Sequence, residues 1–430
     1  MSRISFISPI LGICLVLSMA GIAQAASDSA PIPEVTINEL VQRALKSHPQ
    51  ISISQQLENA AQQRLKSSSS FPNPTLELVP HLAGNRDTAD SEVILSQPID
   101  LFGKRRAEGK VQKAKLHEAQ AKSTFAERDL ILRVKQAAID LFAAQDAESL
   151  NDVQVEVAQK FHQSAARRVE LGDAPPVQQQ RAKLELLRAQ NESANAKSAR
   201  LTQLAVLNQL VGQSPETEMR VILPKLSSDA TPELKTGEFL SNALRNRPDL
   251  KMEIAELDAL KAQVDVIRKE RLPELALQTR RNSFFGDDGS YGFRAVITMP
   301  LFDFGSISHE RRAAEAEAEA QQSRIALLRT EVSTEVQQAM LQLKQQWQNV
   351  QIYRTEIVPT TEDLLRKTQI GYDQGASSYL EVLEAQRTFR QVQNEYKKAL
   401  AAAFNSEASL EKALGTTLPE LTAQMMRERE

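Results

Sequence analysis

The sequence predicts a mainly α-helical chain with a small transmembrane β part, made of a duplicated unit of one strand hairpin and one long coiled-coil helical pair. Three observations carry this. A short step rich in Pro, Asp, Phe and Gly occurs twice, as SQPIDLFGKRRAE (96–108) and TMPLFDFGSISHE (298–310), and each copy opens a long polar-charged run. The run from Lys104 to Leu171 holds no proline; at 1.5 Å per residue such a helix spans roughly 100 Å, against an ordinary helix of about 11–12 residues. Residues 290–299 alternate with period two, the signature of a strand.

Residues 1–25 read as a secretory signal peptide: Arg3, an apolar run from Ile4 to Ala20, then the small-x-small cleavage pattern Ala23-Gln24-Ala25. Cys14, the single cysteine, lies inside that run and away from the cleavage point. The mature chain is therefore expected to offer no disulfide, thiolate metal site or lipid-anchored N-terminus. A formal net charge of −3 and the lack of a basic-aromatic cluster argue against nucleic acid as a partner. After the signal, no apolar run reaches the roughly 18 residues of a membrane helix. An exported chain of this kind can enter a membrane only with strands.

The duplication divides the chain into a first repeat (26–213), a linker (214–235), a second repeat (236–415) and a tail (416–430). ELVQRALKSHPQI (39–51) matches EFLSNALRNRPDL (238–250), so Pro49 aligns with Pro248. ELGDAPPVQQQRAKLELLRAQNE (170–192) matches the stretch from Tyr372 to Glu395, with Gly172 against Gly375. Two repeats are too few for a solenoid and suggest a pseudo-symmetric pair.

Each repeat starts with a helix, about 36–68 and 236–270; Thr36 and Glu39 fit a capping box at the first. A strand hairpin follows, 74–99 and 273–302, with turns at Gly84-Asn85-Arg86-Asp87 and Gly286-Asp287-Asp288-Gly289. Tyr291, Phe293, Ala295, Ile297 and Met299 share one face, and Gly292, Arg294, Val296 and Thr298 the other, which suits an apolar outside and a polar inside. The long helical pairs cover 104–213 and 305–415. Val336, Met340, Leu343, Trp347 and Val350 recur at 3.5-residue spacing, a left-handed coiled-coil seam that Val134, Ala138 and Leu141 begin in the first repeat. Pro359 should kink the second pair, and Gly371 weakens it.

Four strands cannot close a barrel, and an open sheet edge in lipid leaves backbone groups without partners. Three copies supply twelve strands, an even number within the range of outer-membrane barrels. The recurring step then marks where barrel becomes helical tunnel. Pro98 and Pro300 lack an N–H and should end strand pairing, while Gly103 and Gly305 allow the backbone to turn sharply.

Over about 34–415 the chain resembles the TolC-like outer membrane efflux protein family, on the two-fold repeat, the Pro-Asp-Gly steps and the two helix-turn-helix motifs. The stretch QPIDLFGKRRA is also similar to the heavy-metal, CzcC- and CusC-like, branch. The resemblance implies a homotrimer in the outer membrane of a Gram-negative bacterium, with a twelve-stranded barrel continued by an α-helical barrel in the periplasm. It implies docking on a periplasmic adaptor and an inner-membrane pump of RND type, for export of metal cations or drugs. It implies no enzyme activity and no cofactor.

Carried over residue by residue, the adaptor-docking turns are Leu171-Gly172-Asp173 and Gly375-Ala376. Tyr372 matches the family's aromatic position at the mouth. Glu381 and Glu384, three apart and so on one helix face, match acidic residues that narrow the pore and favour cations. Ser377 stands where some members place a basic locking residue. Beside this, a small residue at Gly172 or Gly375 equally suits a plain left-handed helix cap. The five histidines (His48, His81, His117, His162, His309) lack metal-ligand spacing, and no phosphate loop or His-Glu-x-x-His motif occurs. Two alternatives remain open at this point: an outer membrane channel for type I protein secretion, and a soluble periplasmic coiled-coil scaffold.

Overall fold

A computed structural model describes residues 32–79, 92–223, 236–281 and 291–417. The expected signal peptide, both hairpin turns, His81, linker residues 224–235 and the tail from 418 lie outside them. The first repeat runs β1 (Glu34–Thr36), α1 (Ile37–Ser47), α2 (Pro49–Ser69), β2 (Thr75–Val79), β3 (Glu92–Ile99), α3 (Lys104–Glu170) and α4 (Pro176–Val211). After β4 (Arg220–Ile222) the second runs α5 (Thr236–Asn246), α6 (Pro248–Lys269), β5 (Glu274–Arg281), β6 (Tyr291–Thr298) and α7 (Ser306–Ile352). A π turn (Tyr353–Ile357), α8 (Val358–Asp373) and α9 (Tyr379–Leu414) complete it.

Thr36 and Glu39 form the capping box in both directions. The single helix expected over 36–68 is two, however. Proline disfavours the helical region for the residue before it, so His48 is extended (ψ 126°) and Pro49 starts α2. Arg247 (ψ 123°) and Pro248 divide the second repeat in the same way. The parallel pairing of β1 with β4 was not expected. It places a strand in the stretch read as linker, and three residues are too few to show a period.

The long helices are as long as their lack of breakers allows: α3 has 67 residues and α7 has 47. Their apolar residues converge on two small cores at matching heights. Leu40 and Ala44 of α1 pack with Leu130, Val134 and Leu141 of α3 and Leu204 and Leu207 of α4. Phe239 and Ala243 of α5 pack with Val336, Met340 and Leu343 of α7 and Leu410 and Leu414 of α9. At Pro359 the disturbance takes the form of a π turn: the Val358 N–H reaches back to the Tyr353 carbonyl. The proline ring removes the next donor of the α-helical ladder, and the extra residue absorbs the fault.

The four strands form one antiparallel sheet in the order β2-β3-β5-β6, the two hairpins joining through β3 and β5. The register fixes the faces. Leu76, Leu95, Thr279 and Phe293 form one cross-strand row, and Gln97, Leu277 and Ala295 the next on the same side. Opposite them run Thr75, Ser96, Gln278 and Arg294, then Glu77, Ile94, Arg280 and Gly292. The apolar side is bare: Phe293 is 87% exposed and Ile297 65%. Both β2 and β6 are edges.

Candidate functional site

The sheet meets the helices through the two repeated steps. Gly103 (φ 70°) and Gly305 (φ 88°) are left-handed N-caps of α3 and α7, a conformation that costs a residue with a Cβ about 1–2 kcal/mol. A glycine cap has no side chain for the free N–H groups of the first turn, and the recurring aspartates take that part. Asp100 Oδ1 accepts from Lys104 N at 2.8 Å, and Asp303 Oδ1 from Gly305 N at 3.1 Å. Lys269 Nζ at the end of α6 donates to the Phe102 and Gly103 carbonyls, at 3.0 and 2.9 Å. One expectation is corrected here. Pro98 does not end pairing: β3 leaves β2 at Ser96 but stays paired with β5 through Pro98 to Ile99. A proline serves in a strand where one neighbour has already left. Pro300 does lie just beyond β6.

At the far end of the helices the two hairpin turns lie side by side. Gly172 (φ 79°) and Gly375 (φ 75°) are left-handed, and a Cβ on either would meet nothing within 4 Å. Asp173 N donates to the Arg168 carbonyl and Ala376 N to the Gly371 carbonyl, at 2.8 and 2.7 Å, which close the ends of α3 and α8. These turns are thus helix caps with open space in front of them. Leu171, beside the first, is 76% exposed. Gly371 admits the second turn: its Cβ would stand 2.6 Å from Ser377 Oγ.

Tyr372 is joined to Arg168 of the other hairpin. The guanidinium donates to the Tyr372 hydroxyl and lies over its ring, 4.8 Å from the centroid. Glu381 closes a capping box at the start of α9, its carboxylate accepting from Ser378 N at 2.8 Å. Glu384 is free of the cap; its side chain is 71% exposed, 3.8 Å from Arg387. Above the mouth, α9 holds the first repeat through ion pairs: Arg387 with Glu185, Arg390 with Glu192, Lys397 with Asp146 and Lys135 with Glu411. Glu407 lines a cleft of about 370 Å³ with Lys135 and Glu411. Burial pushes its carboxyl above the usual range, the Glu411 charge adds to this and Lys135 opposes it. The described residues contain no cluster of His, Cys, Asp and Glu able to hold a metal ion, and none of their helices is long and apolar enough to cross a membrane.

The model of the family described as "Outer membrane efflux protein" matches residues 40–213 and 239–416, one segment for each repeat. The chain belongs to the outer membrane efflux protein family. Over 354 residues it is 27% identical to the cobalt-zinc-cadmium resistance protein CzcC of Cupriavidus metallidurans, covering 80% of this chain and 81% of that protein. It is 25% identical over 303 residues to the nickel-cobalt-cadmium resistance protein NccC of Alcaligenes xylosoxydans, covering 69% and 66%. The fold matches that of the transmembrane channel CusC with a TM-score of 0.75 at 18% identity, over 88% of this chain and 92% of that one. As an outer membrane efflux protein the chain resides in the outer membrane with a large periplasmic part.

Within this family frame, sequence reasoning had selected Tyr372, Glu381 and Glu384 but missed Arg168, Arg387 and Glu185. Arg168 in the last turn of α3 reads as an ordinary helix-dipole partner; only the folded chain puts it beside Tyr372. The cap role of Glu381 was readable, since Ser378-x-x-Glu381 is a capping-box pattern.

Proposed function

We propose that three copies of this chain close into a passive exit duct across the outer membrane and periplasm, docked on a periplasmic adaptor and an RND-type inner-membrane pump that exports metal cations. The observation that carries the reading is a four-stranded sheet with two open edges and one bare apolar face. Lipid can cover the face but not the edges, because backbone groups facing hydrocarbon without partners cost several kcal/mol each. Only strands of identical neighbours satisfy them, and twelve strands suffice. The metal assignment is supported by the similarity to CzcC and NccC, whose names give cobalt, zinc, cadmium and nickel. The pump selects the cargo; the duct supplies a water-filled path, with Glu381 and Glu384 as two carboxylate rings at its mouth and the turns at Leu171, Gly172, Asp173, Gly375 and Ala376 as the adaptor's footing.

Fractionation and growth together test this. The protein is expected in the outer membrane as a trimer that dissociates on heating. Its deletion should sensitise cells to cobalt, zinc or cadmium and leave drug tolerance unaltered. A mature chain that is monomeric and stable in water without detergent overturns the duct. Drug sensitivity without metal sensitivity overturns the cargo assignment alone.

A further inference from the structure

Three of the five charged side chains on the polar face of the described strands are matched within one copy. Arg280 pairs with Glu92, and Lys104 with Glu274 at 2.7 Å. Glu77 and Arg294 are different: among the described residues neither has an ion-pair partner. Arg294 donates from Nε to Gln278 Oε1 at 2.8 Å, and Gln278 donates on to Ser96 Oγ at 3.2 Å. This chain of hydrogen bonds steadies the guanidinium, while its two Nη groups have no partner among the described residues. The two unmatched charges are opposite in sign, lie on the same face, and stand at the middle of the two open edge strands β2 and β6.

We propose that Glu77 of one copy and Arg294 of the next form an ion pair across each seam of the closed barrel and set its strand register. This rests on the trimeric-duct reading. Directions alternate along the sheet, so β6 of one copy meets β2 of the next antiparallel. Residues directly opposite in such a pair share a face. Glu77 must therefore face an even-numbered residue of β6. All five residues of β2 find partners within Tyr291–Thr298 only if Glu77 lies opposite Arg294 or Val296. In the first register the pair is direct. In the second it is diagonal, the two residues about 7–8 Å apart and their Cβ atoms somewhat closer, still within reach of two long side chains. A slip by one residue would put the apolar rows inside the barrel, and a larger slip would strand the two charges.

The test uses full-length protein in detergent. Cys14 is the only native cysteine and lies in the expected signal segment, so introduced pairs are read cleanly. Under mild oxidation Glu77→Cys should cross-link with Arg294→Cys or with Val296→Cys into covalent trimers, and Leu76→Cys with Arg294→Cys should not. Glu77→Arg and Arg294→Glu should each speed trimer dissociation about ten-fold, three weakened seams acting together, and the double exchange should restore at least half of that loss. Trimers without a cross-link in either register, or an exchange that restores nothing, overturn the seam pair and leave the duct standing. Absence of any trimer from the unsubstituted protein overturns both.

Discussion

Tyr372→Phe tests the hydrogen bond from Arg168 at the mouth. It keeps the ring beneath the Arg168 guanidinium, 4.8 Å from its centroid, and deletes the hydroxyl that accepts from Nη1. A hydrogen bond from a charged donor contributes about 1.5–3 kcal/mol when sheltered. Arg168 is exposed, so about 1 kcal/mol is the appropriate share. In a trimer three such contacts bear on one opening, giving about 3 kcal/mol, slightly over a hundred-fold in the closed-to-open ratio. Arg168→Leu also removes the cation–π contact, about 0.5 kcal/mol more per copy, and should reach about two-thousand-fold. Single-channel recording in planar bilayers reads this directly: open probability should rise in the order wild type, Tyr372→Phe, Arg168→Leu, with trimer stability unchanged. Equal open probability in all three proteins refutes the idea that this contact holds the hairpins together.

Glu407→Gln should raise the temperature at which the trimer dissociates at pH 7–8. The folded carboxyl titrates above its unfolded value, so stability falls as pH rises from about 4.3 towards the folded pKa; the gain should vanish below about pH 4. Gly415→Ala should lower that temperature, since its φ is +69° and the new Cβ would lie 2.9 Å from Arg247 Cα; a loss of at least about 2 kcal/mol is expected, measured by heat dissociation. Glu384→Gln should reduce cation selectivity, read as the reversal potential in a salt gradient, while helix α9 keeps its Glu381 cap. Gly375→Trp should abolish metal resistance without loss of trimers, scored by growth and by gel mobility.

What could be read in the sequence follows from the range of the forces concerned. Helix α3 was legible because 67 residues pass without a proline, and the sheet faces because Phe293 and Arg294 fall on opposite sides of any strand that contains both. Glycines 103, 305, 172 and 375 marked left-handed positions, and each has positive φ. Pro49 and Pro248 were in view, but the helical spacing on either side masked the break at His48 and Arg247. The contacts Arg168–Tyr372 and Arg387–Glu185 join residues more than two hundred positions apart, and no local pattern announces them. Pro98 misled because the loss of one donor was taken as the end of pairing on both sides, when only the β2 side had ended.

The five-residue π turn ahead of Pro359 has a geometric consequence for the whole shaft. A surplus residue advances the angular position of everything after it by about 100°. The stripe laid down by Val336, Met340, Leu343 and Val350 therefore does not continue straight into α8. Below the turn α8 presents to α9 a different set of side chains from the one the stripe would have carried on, so the two parts of this helix are phased separately.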